Sequence, residues 1–433
     1  MLFNSTSMKT LSWNYIQEKW SHTGFQKYFR NLGWMFFGRI ASMAISFIAT
    51  AYIARNLGPA NYGELSYAIS FVSIFSFIAV LGIDQVLYRD LIHFPEKKNQ
   101  YMGSAFVLRI GASVIAILLC TFFAVWFSPK DVSFFLIFLL SLSFIFNTFQ
   151  IINYEFQANV QSKFPSLLTL YVTILLNILK ILVIVFGQGV IYLAFVLLLE
   201  SVFYAAGYLY YRAKFYGMIS QWSFDKEIAK KILHDSWPLI FSSAFALIYA
   251  RIDQIMIKNM MDASSVGLYD AAVRLSEVWY FIPSIISSSL FPAIINAKNT
   301  SEKTYYKRIQ KLALLLVGLS VLISLPVMFL SDFIVRLVYG QAFIGAVLIL
   351  QVYIWSNVAT SLNSVVNLYL VTENFKKMLL FSTFAGMLTN VVLNIYFIPK
   401  YGTIGAAYAT LISYAVPFLS IFVLPRARKL LKI

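Results

Sequence analysis

Apolar residues run along this chain in long unbroken stretches separated by short polar segments. A hydrocarbon core of roughly 30 Å takes about 20 apolar residues in helix. Twelve stretches qualify: 31–54, 63–87, 102–127, 132–157, 165–186, 190–212, 236–257, 270–297, 309–330, 346–372, 377–398 and 402–424. They lack the ten-residue alternation of barrel strands, and in lipid only helices or closed barrels satisfy the backbone. The pattern predicts an all-α integral membrane protein of about twelve transmembrane helices.

Lys and Arg orient these spans. With the N-terminus inside, the inner segments carry 24 Lys and Arg, and the outer ones only Arg55, Lys130, Lys258, Arg336 and Lys400. Such a bias over short loops places both termini in the cytoplasm. The net charge of +16 is then a topology signal. Nucleic-acid binding needs a basic face on a folded domain, and no segment here is long enough to make one.

Composition agrees: 60% of residues are hydrophobic and 12% charged, where a soluble domain has about 25% charged. Cys120 is the single cysteine, and His22, His93 and His234 fall in loop-like stretches, so no metal framework is expected. The first 30 residues lack a signal-peptide pattern. They read either as an interfacial segment carrying Trp13, Trp20 and Phe25 or as a dispensable extension. The organisation expected is a cytoplasmic extension (1–30), an N-lobe of six spans (31–212), a linker (213–235), a C-lobe of six spans (236–424) and a basic cytoplasmic tail (425–433). Lys226, Glu227, Lys230 and Lys231 make the linker either a solvated connection or a short amphipathic helix.

The halves resemble each other in order. Gly63 and Ala68 correspond to Gly267 and Ala272, Tyr154 and Asn159 to Tyr369 and Asn374, and Asn177 with Gly187 to Asn394 with Gly402. Two parallel six-span repeats place a cavity between two lobes and suit rocking-type alternating access.

Five cations interrupt the apolar spans: Arg39, Arg109, Lys180, Arg251 and Arg274. Each costs about 2.5–3.5 kcal/mol at mid-bilayer on insertion scales, so each is expected to face a cavity or an anion. One reading is an anionic cargo; the other is structural pairing, of Arg251 with Asp253 and of Arg274 with Asp270 or Glu277. Arg109 lies near enough to the inner end of its span to snorkel. Glu64, Asp84 and Glu155 read as interfacial, whereas Glu200 lies deeper. Ser356, Thr360, Asn363, Ser364 and Asn367 share one helical face, suited either to sugar hydroxyls or a sodium ion, or to interhelical hydrogen bonds. Asn390 and Asn394 read the same way. Pro238, Pro283, Pro326 and Pro417 predict kinks. No phosphate loop, zinc motif or hydrolase triad is present, and GTIGAA lacks the preceding strand of a nucleotide site.

The segment 388–415, LTNVVLNIYFIPKYGTIGAAYATLISYA, resembles the Wzx-type oligosaccharide (O-antigen and polysaccharide) flippases. These belong to the multidrug/oligosaccharidyl-lipid/polysaccharide exporter superfamily, with the MATE exporters and the lipid II flippases. ARNLGPANYGELSYA (54–68), DQIMIKNMMDASSVGLYDAA (253–272) and LVYGQAF (337–343) extend the likeness over the chain from about residue 31. Lipid II flippases carry two further C-terminal spans that this chain does not show, which favours the polysaccharide branch. The resemblance implies two pseudo-symmetric six-helix lobes in the bacterial inner membrane. Its implied cargo is undecaprenyl-pyrophosphate-linked oligosaccharide, flipped to the periplasmic leaflet for surface polysaccharide and lipopolysaccharide biosynthesis, without enzymatic chemistry.

Under that resemblance Arg39 and Arg251, in equivalent spans, would grip phosphate oxygens bidentately, with Lys180, Arg274 and Arg109 as further substrate-binding cations. Glu200 and Asp253 are the candidates for a coupling H+ or Na+, no other cofactor being expected. Partners would be the lipid-linked glycan, membrane lipids and other membrane proteins of polysaccharide assembly, with no nucleic acid. The main rival is a cation-coupled drug or metabolite exporter of the same superfamily, which would rely on an acid in the first span, where this chain has Arg39. A glycan polymerase or ligase would need a long periplasmic loop.

Overall fold

The computed structural model describes residues 23–127 and 132–421. The expected extension (residues 1–22 of it), Lys130 and the basic tail lie outside them. Among the described residues all regular structure is helical. The first half comprises α1 (Thr23–Val80), α2 (Ile83–His93), α3 (Lys98–Phe127), α4 (Val132–Ser141), α5 (Ser143–Asn147), α6 (Ile151–Ala158), α7 (Lys163–Val185) and α8 (Val190–Tyr216). The second comprises α9 (Lys226–Met260), α10 (Ala263–Glu277), α11 (Phe281–Thr300), α12 (Glu302–Phe329), α13 (Ser331–Val338), α14 (Ala346–Tyr353), α15 (Ser356–Thr372) and α16 (Lys376–Ser420).

Among the described residues ten helical segments are long and apolar enough to cross a membrane. Two of them, Gly33–His93 with 61 residues and Lys377–Ser420 with 44, are twice the length a bilayer needs. Each folds back at a left-handed glycine, Gly58 (φ 72°) or Gly402 (φ 63°). Proline neighbours both bends: Pro59 directly follows the first glycine, and Pro399 lies three residues before the second. Each therefore holds two of the twelve sequence-derived spans. A residue with a Cβ would be strained at either bend.

The repeat is visible in the backbone. Gly187 and Gly402, the paired turn glycines, both have positive φ. The matched Gly63 and Gly267 pack against each other: a Cβ on Gly63 would lie 1.7 Å from the Ala263 carbonyl oxygen, and one on Gly267 2.1 Å from that of Pro59. Equivalent residues meeting in this way place the axis relating the lobes between them. The small residues let the second arm of α1 (residues 59–80) and α10 approach to backbone contact. Tyr62, Tyr67, Val266, Tyr269 and Tyr339 are buried in the apolar core around this junction.

Within the expected linker, residues 217–225 are exposed or half-buried and are tethered to the N-lobe. Ser104 Oγ donates to the Asp225 carbonyl (3.1 Å) and accepts from its N–H (3.0 Å). Trp222 packs on Phe106 beneath the Arg212 guanidinium. Asp225 caps α9 through the N–H groups of Glu227 and Ile228. The first turns of α9 are amphipathic, with Ile228, Ala229 and Ile232 buried and Lys226, Glu227 and Lys230 exposed. This is the alternative the charge pattern allowed. Glu155, in the last turn of α6, is fully buried and held by Arg212 (3.2 Å) and Lys98 (2.9 Å).

Candidate functional site

A cavity of about 650 Å³ lies between the first span of the N-lobe and the eighth span of the C-lobe. Its first wall is the face of α1 bearing Phe36, Arg39, Ile40, Met43 and Phe47, positions that recur at helical spacing. Its second wall comprises Glu277, Tyr280, Phe281, Ser284, Ile285 and Ser288, from the end of α10 and the start of α11. A 3-10 turn at Val278–Tyr280 breaks the eighth span at this wall and turns Tyr280 towards Ser356, its hydroxyl partner at 2.6 Å. Pro283 falls in the first turn after the break, where its missing N–H costs nothing.

A second cavity, of about 500 Å³, lies inside the N-lobe. It is bounded by Gly38, Ser42 and Ser46 of α1, Asn153 and Gln157 of α6, Ser166, Thr169 and Thr173 of α7, and Glu200 and Tyr204 of α8. Arg39 and Met43 line both cavities.

Arg39 stands at that junction, exposed, with no carboxylate within 4.0 Å among the described residues. The other four cations each meet an acid. Arg109, almost fully buried, pairs with Asp84; Lys180 Nζ lies 2.5 Å from Glu200; Arg274 Nε lies 2.6 Å from Asp270. Arg251 approaches Glu277 at 3.7 Å and does not itself line the central cavity, where Glu277 does. The structural pairing of Arg274 with Asp270 is thus present at its i,i+4 spacing, whereas Asp253 does not meet Arg251. Neutralisation within the bundle offsets the cost of burying a charge. Arg39 lacks that compensation and has open space instead.

Beyond the cavity, away from the start of α1, the lobes meet in a polar seam, beside an apolar groove of about 570 Å³ lined by Phe71, Phe75 and Phe127 of one lobe and Ile252, Met256 and Met260 of the other. Asp270 is buried and accepts four hydrogen bonds: from Tyr62 (2.5 Å) and Ser66 (3.0 Å) of one lobe, and from Gln254 (2.9 Å) and Arg274 (2.6 Å) of the other. Glu64 accepts from Lys258 of the opposite lobe and from Ser133. The motif carrying Gly63 thus supplies Tyr62, Glu64 and Ser66 to the same seam. Sequence reasoning left Tyr62, Ser66 and Gln254 aside, since uncharged residues in a span give no signal of a partner.

Asp253 is enclosed in the C-lobe by Tyr269 Oη (2.7 Å), Asn394 Nδ2 (2.6 Å) and Thr410 Oγ1 (2.6 Å). Asn390 joins through Asn394 (3.2 Å) and Ser413 (3.4 Å). The buried Asn394 Oδ1 has no hydrogen-bond partner among the described residues. The stripe on α15 is turned to the C-lobe interior: Thr360 and Ser364 bond backbone carbonyls of their own helix, and Asn363 bonds the Tyr414 carbonyl. Asn367 is exposed, and no residue of the stripe lines the two cavities.

An all-helical bundle of two related lobes, joined at one end and parted around a cavity at the other, has the fold of a membrane transporter. It superposes with a TM-score of 0.71 on a lipid II flippase, MurJ, in an inward closed conformation, at 18% identity over 91% of this chain and 87% of that one. The same score relates it to an inward-facing MATE multidrug transporter, at 16% identity over 90% and 96% of the two chains.

A family model described as polysaccharide biosynthesis protein matches residues 28–298, and the chain belongs to that family. The capsular polysaccharide biosynthesis protein CapF of Staphylococcus aureus is 23% identical over 91% of this chain and 98% of its own. The probable flippases AglR and Agl15 of Haloferax volcanii are 28% and 25% identical over 41% and 43% of this chain. Those matches cover 38% and 40% of the two archaeal proteins, so the chain spans about two fifths of their length.

Proposed function

We propose that this protein is a transporter that flips an undecaprenyl-pyrophosphate-linked oligosaccharide across the bacterial cytoplasmic membrane, by alternating access, for surface polysaccharide synthesis. The observation that carries the reading is Arg39, a guanidinium with open space before it in a bundle whose other intramembrane cations meet acids. A planar fork of donors suits phosphate oxygens bidentately. Arg251, behind the wall, pairs with Glu277 and offsets the charge of that carboxylate, which leaves Arg39 as the cation lining the cavity. Lys180, Arg109 and Arg274 act in this reading through their carboxylates, fixing helices around the site.

With both termini in the cytoplasm, as the Lys and Arg distribution argues, the cavity faces inward and the Gly63–Gly267 seam closes the outer side. Loading precedes separation of the outer seam, and closing of the inner half then delivers the headgroup outward. The family membership and the flippase names of the relatives support a glycan cargo. Arg39 in the first span argues against the exporter alternative, whose cationic cargoes it would repel.

The C-lobe cluster supports a coupling cation at Asp253. A carboxylate beside the unpaired Asn394 Oδ1, with Thr410 and Asn390 adjacent, offers oxygen donors without histidine or thiolate. Hard oxygen ligands suit sodium. The tests are leaflet accumulation of lipid-linked glycan in cells carrying Arg39→Ala, and sodium-dependent thermal stabilisation of purified protein carrying Asp253→Asn. Normal export with Arg39→Ala at wild-type expression refutes the phosphate assignment. Undiminished sodium stabilisation with Asp253→Asn refutes the coupling site.

A further inference from the structure

The two cavities joined at Arg39 differ in chemistry. The inter-lobe cavity is walled mainly by Phe36, Ile40, Phe47, Phe281 and Ile285. The N-lobe cavity is walled by hydroxyls and amides on four helices, and its volume of about 500 Å³ lies in the range of small-molecule sites, roughly 300–1,000 Å³. Asn153 and Gln157, one turn apart on α6, are half-buried and their side-chain amides make no hydrogen bond within the described residues, in contrast to the Thr169 and Thr173 hydroxyls, which do. Ser42 Oγ is buried on the same wall without a partner among the described residues. Side-chain amides left unpaired beside a cavity are available for a ligand, and a site built to hydrogen-bond hydroxyls rejects ligands that lack them.

From this arrangement we infer that the N-lobe cavity is a sugar-reading subsite: with pyrophosphate at Arg39, Asn153 and Gln157 take the first, neutral sugar of the glycan. The inference rests on the pyrophosphate reading of Arg39. Charge sets the sugar class. Glu200 is the carboxylate on this wall, and its partner Lys180 does not line the cavity, so a uronic acid would bring its carboxylate towards Glu200. A hydroxyl- or acetamido-bearing sugar meets no such repulsion, and amides can donate to and accept from it.

The test uses the full chain in nanodiscs and three probes: undecaprenyl pyrophosphate, the same lipid carrying N-acetylglucosamine, and the same lipid carrying glucuronic acid. Wild type is expected to bind the N-acetylglucosaminyl lipid about tenfold more tightly than the bare lipid, the equivalent of one or two hydrogen bonds. It should bind the glucuronyl lipid more weakly than the N-acetylglucosaminyl one. Asn153→Ala with Gln157→Ala should bring the first ratio close to one, and Gln157→Trp, which fills the cavity, should take it below one. Arg39→Ala should weaken all three probes together. A ratio unchanged in both α6 variants, or a preference for the glucuronyl lipid, overturns the subsite while an Arg39→Ala loss leaves the pyrophosphate reading standing. Binding of the bare lipid that is indifferent to Arg39→Ala overturns that reading, and the inference falls with it. Wild-type thermal stability in the variants ties each result to the cavity.

Discussion

Gly267→Ala tests how the outer side is held shut. The added Cβ would sit 2.1 Å from the Pro59 carbonyl oxygen and 3.2 Å from the Gly63 nitrogen. Both are backbone atoms, so no rotamer change relieves the clash, and the lobes must part by about an ångström. Inserting a methyl into a tight contact costs about 1–3 kcal/mol. Here the cost falls on the closed state alone, because the contact crosses between lobes. Such a differential shifts a two-state equilibrium about 5–150-fold. Spin labels at Asn61→Cys and Lys400→Cys, exposed outer positions on opposite lobes, with the buried Cys120 changed to Ala, report the distance between the outer ends. The substituted protein should show a longer-distance population that wild type lacks. A distribution identical to wild type, in protein that remains folded, would refute the idea that backbone contact at this seam sets the conformational balance.

Other consequences can be checked separately. Tyr62→Phe removes one donor to the buried Asp270 carboxylate, a hydrogen bond worth about 1.5–3 kcal/mol, and should favour outer opening in the same spin-label assay. Removing the carboxylate with Asp270→Ala leaves Arg274 without its acid, so thermal unfolding should show a loss of about 3–5 kcal/mol. Lys180→Met and Glu200→Gln should each destabilise the protein while the double variant recovers most of the loss, as a double-mutant cycle on melting curves would show.

The spans were legible because the bilayer imposes a length on every segment that crosses it, even where the helix is continued through a bend, as at Gly58 and Gly402. The repeat was legible through glycines whose role is geometric, Gly63 with Gly267 and Gly187 with Gly402. The intramembrane cations stood out against apolar sequence, but the acid each one meets did not. Arg274 with Asp270 follows from i,i+4 spacing, whereas Asp84 lies 25 positions from Arg109 and Glu200 lies 20 from Lys180, so their meeting depends on how spans pack. The Asp253 cluster was hidden for the same reason: Asn394 and Thr410 come to it from 141 and 157 positions away. Neutral side chains lining the N-lobe cavity carry no sequence signal, because a serine or threonine in a membrane helix more often bonds its own backbone, as Thr360 and Ser364 do.

The most direct test of the central claim is transport of a fluorescent undecaprenyl-pyrophosphate-linked glycan into liposomes containing wild type, Arg39→Lys or Arg39→Ala. A guanidinium that grips phosphate oxygens predicts intermediate flipping for lysine, which keeps the charge but loses the fork, and near-background flipping for alanine. Wild-type rates in all three proteins would show that the diphosphate crosses without Arg39.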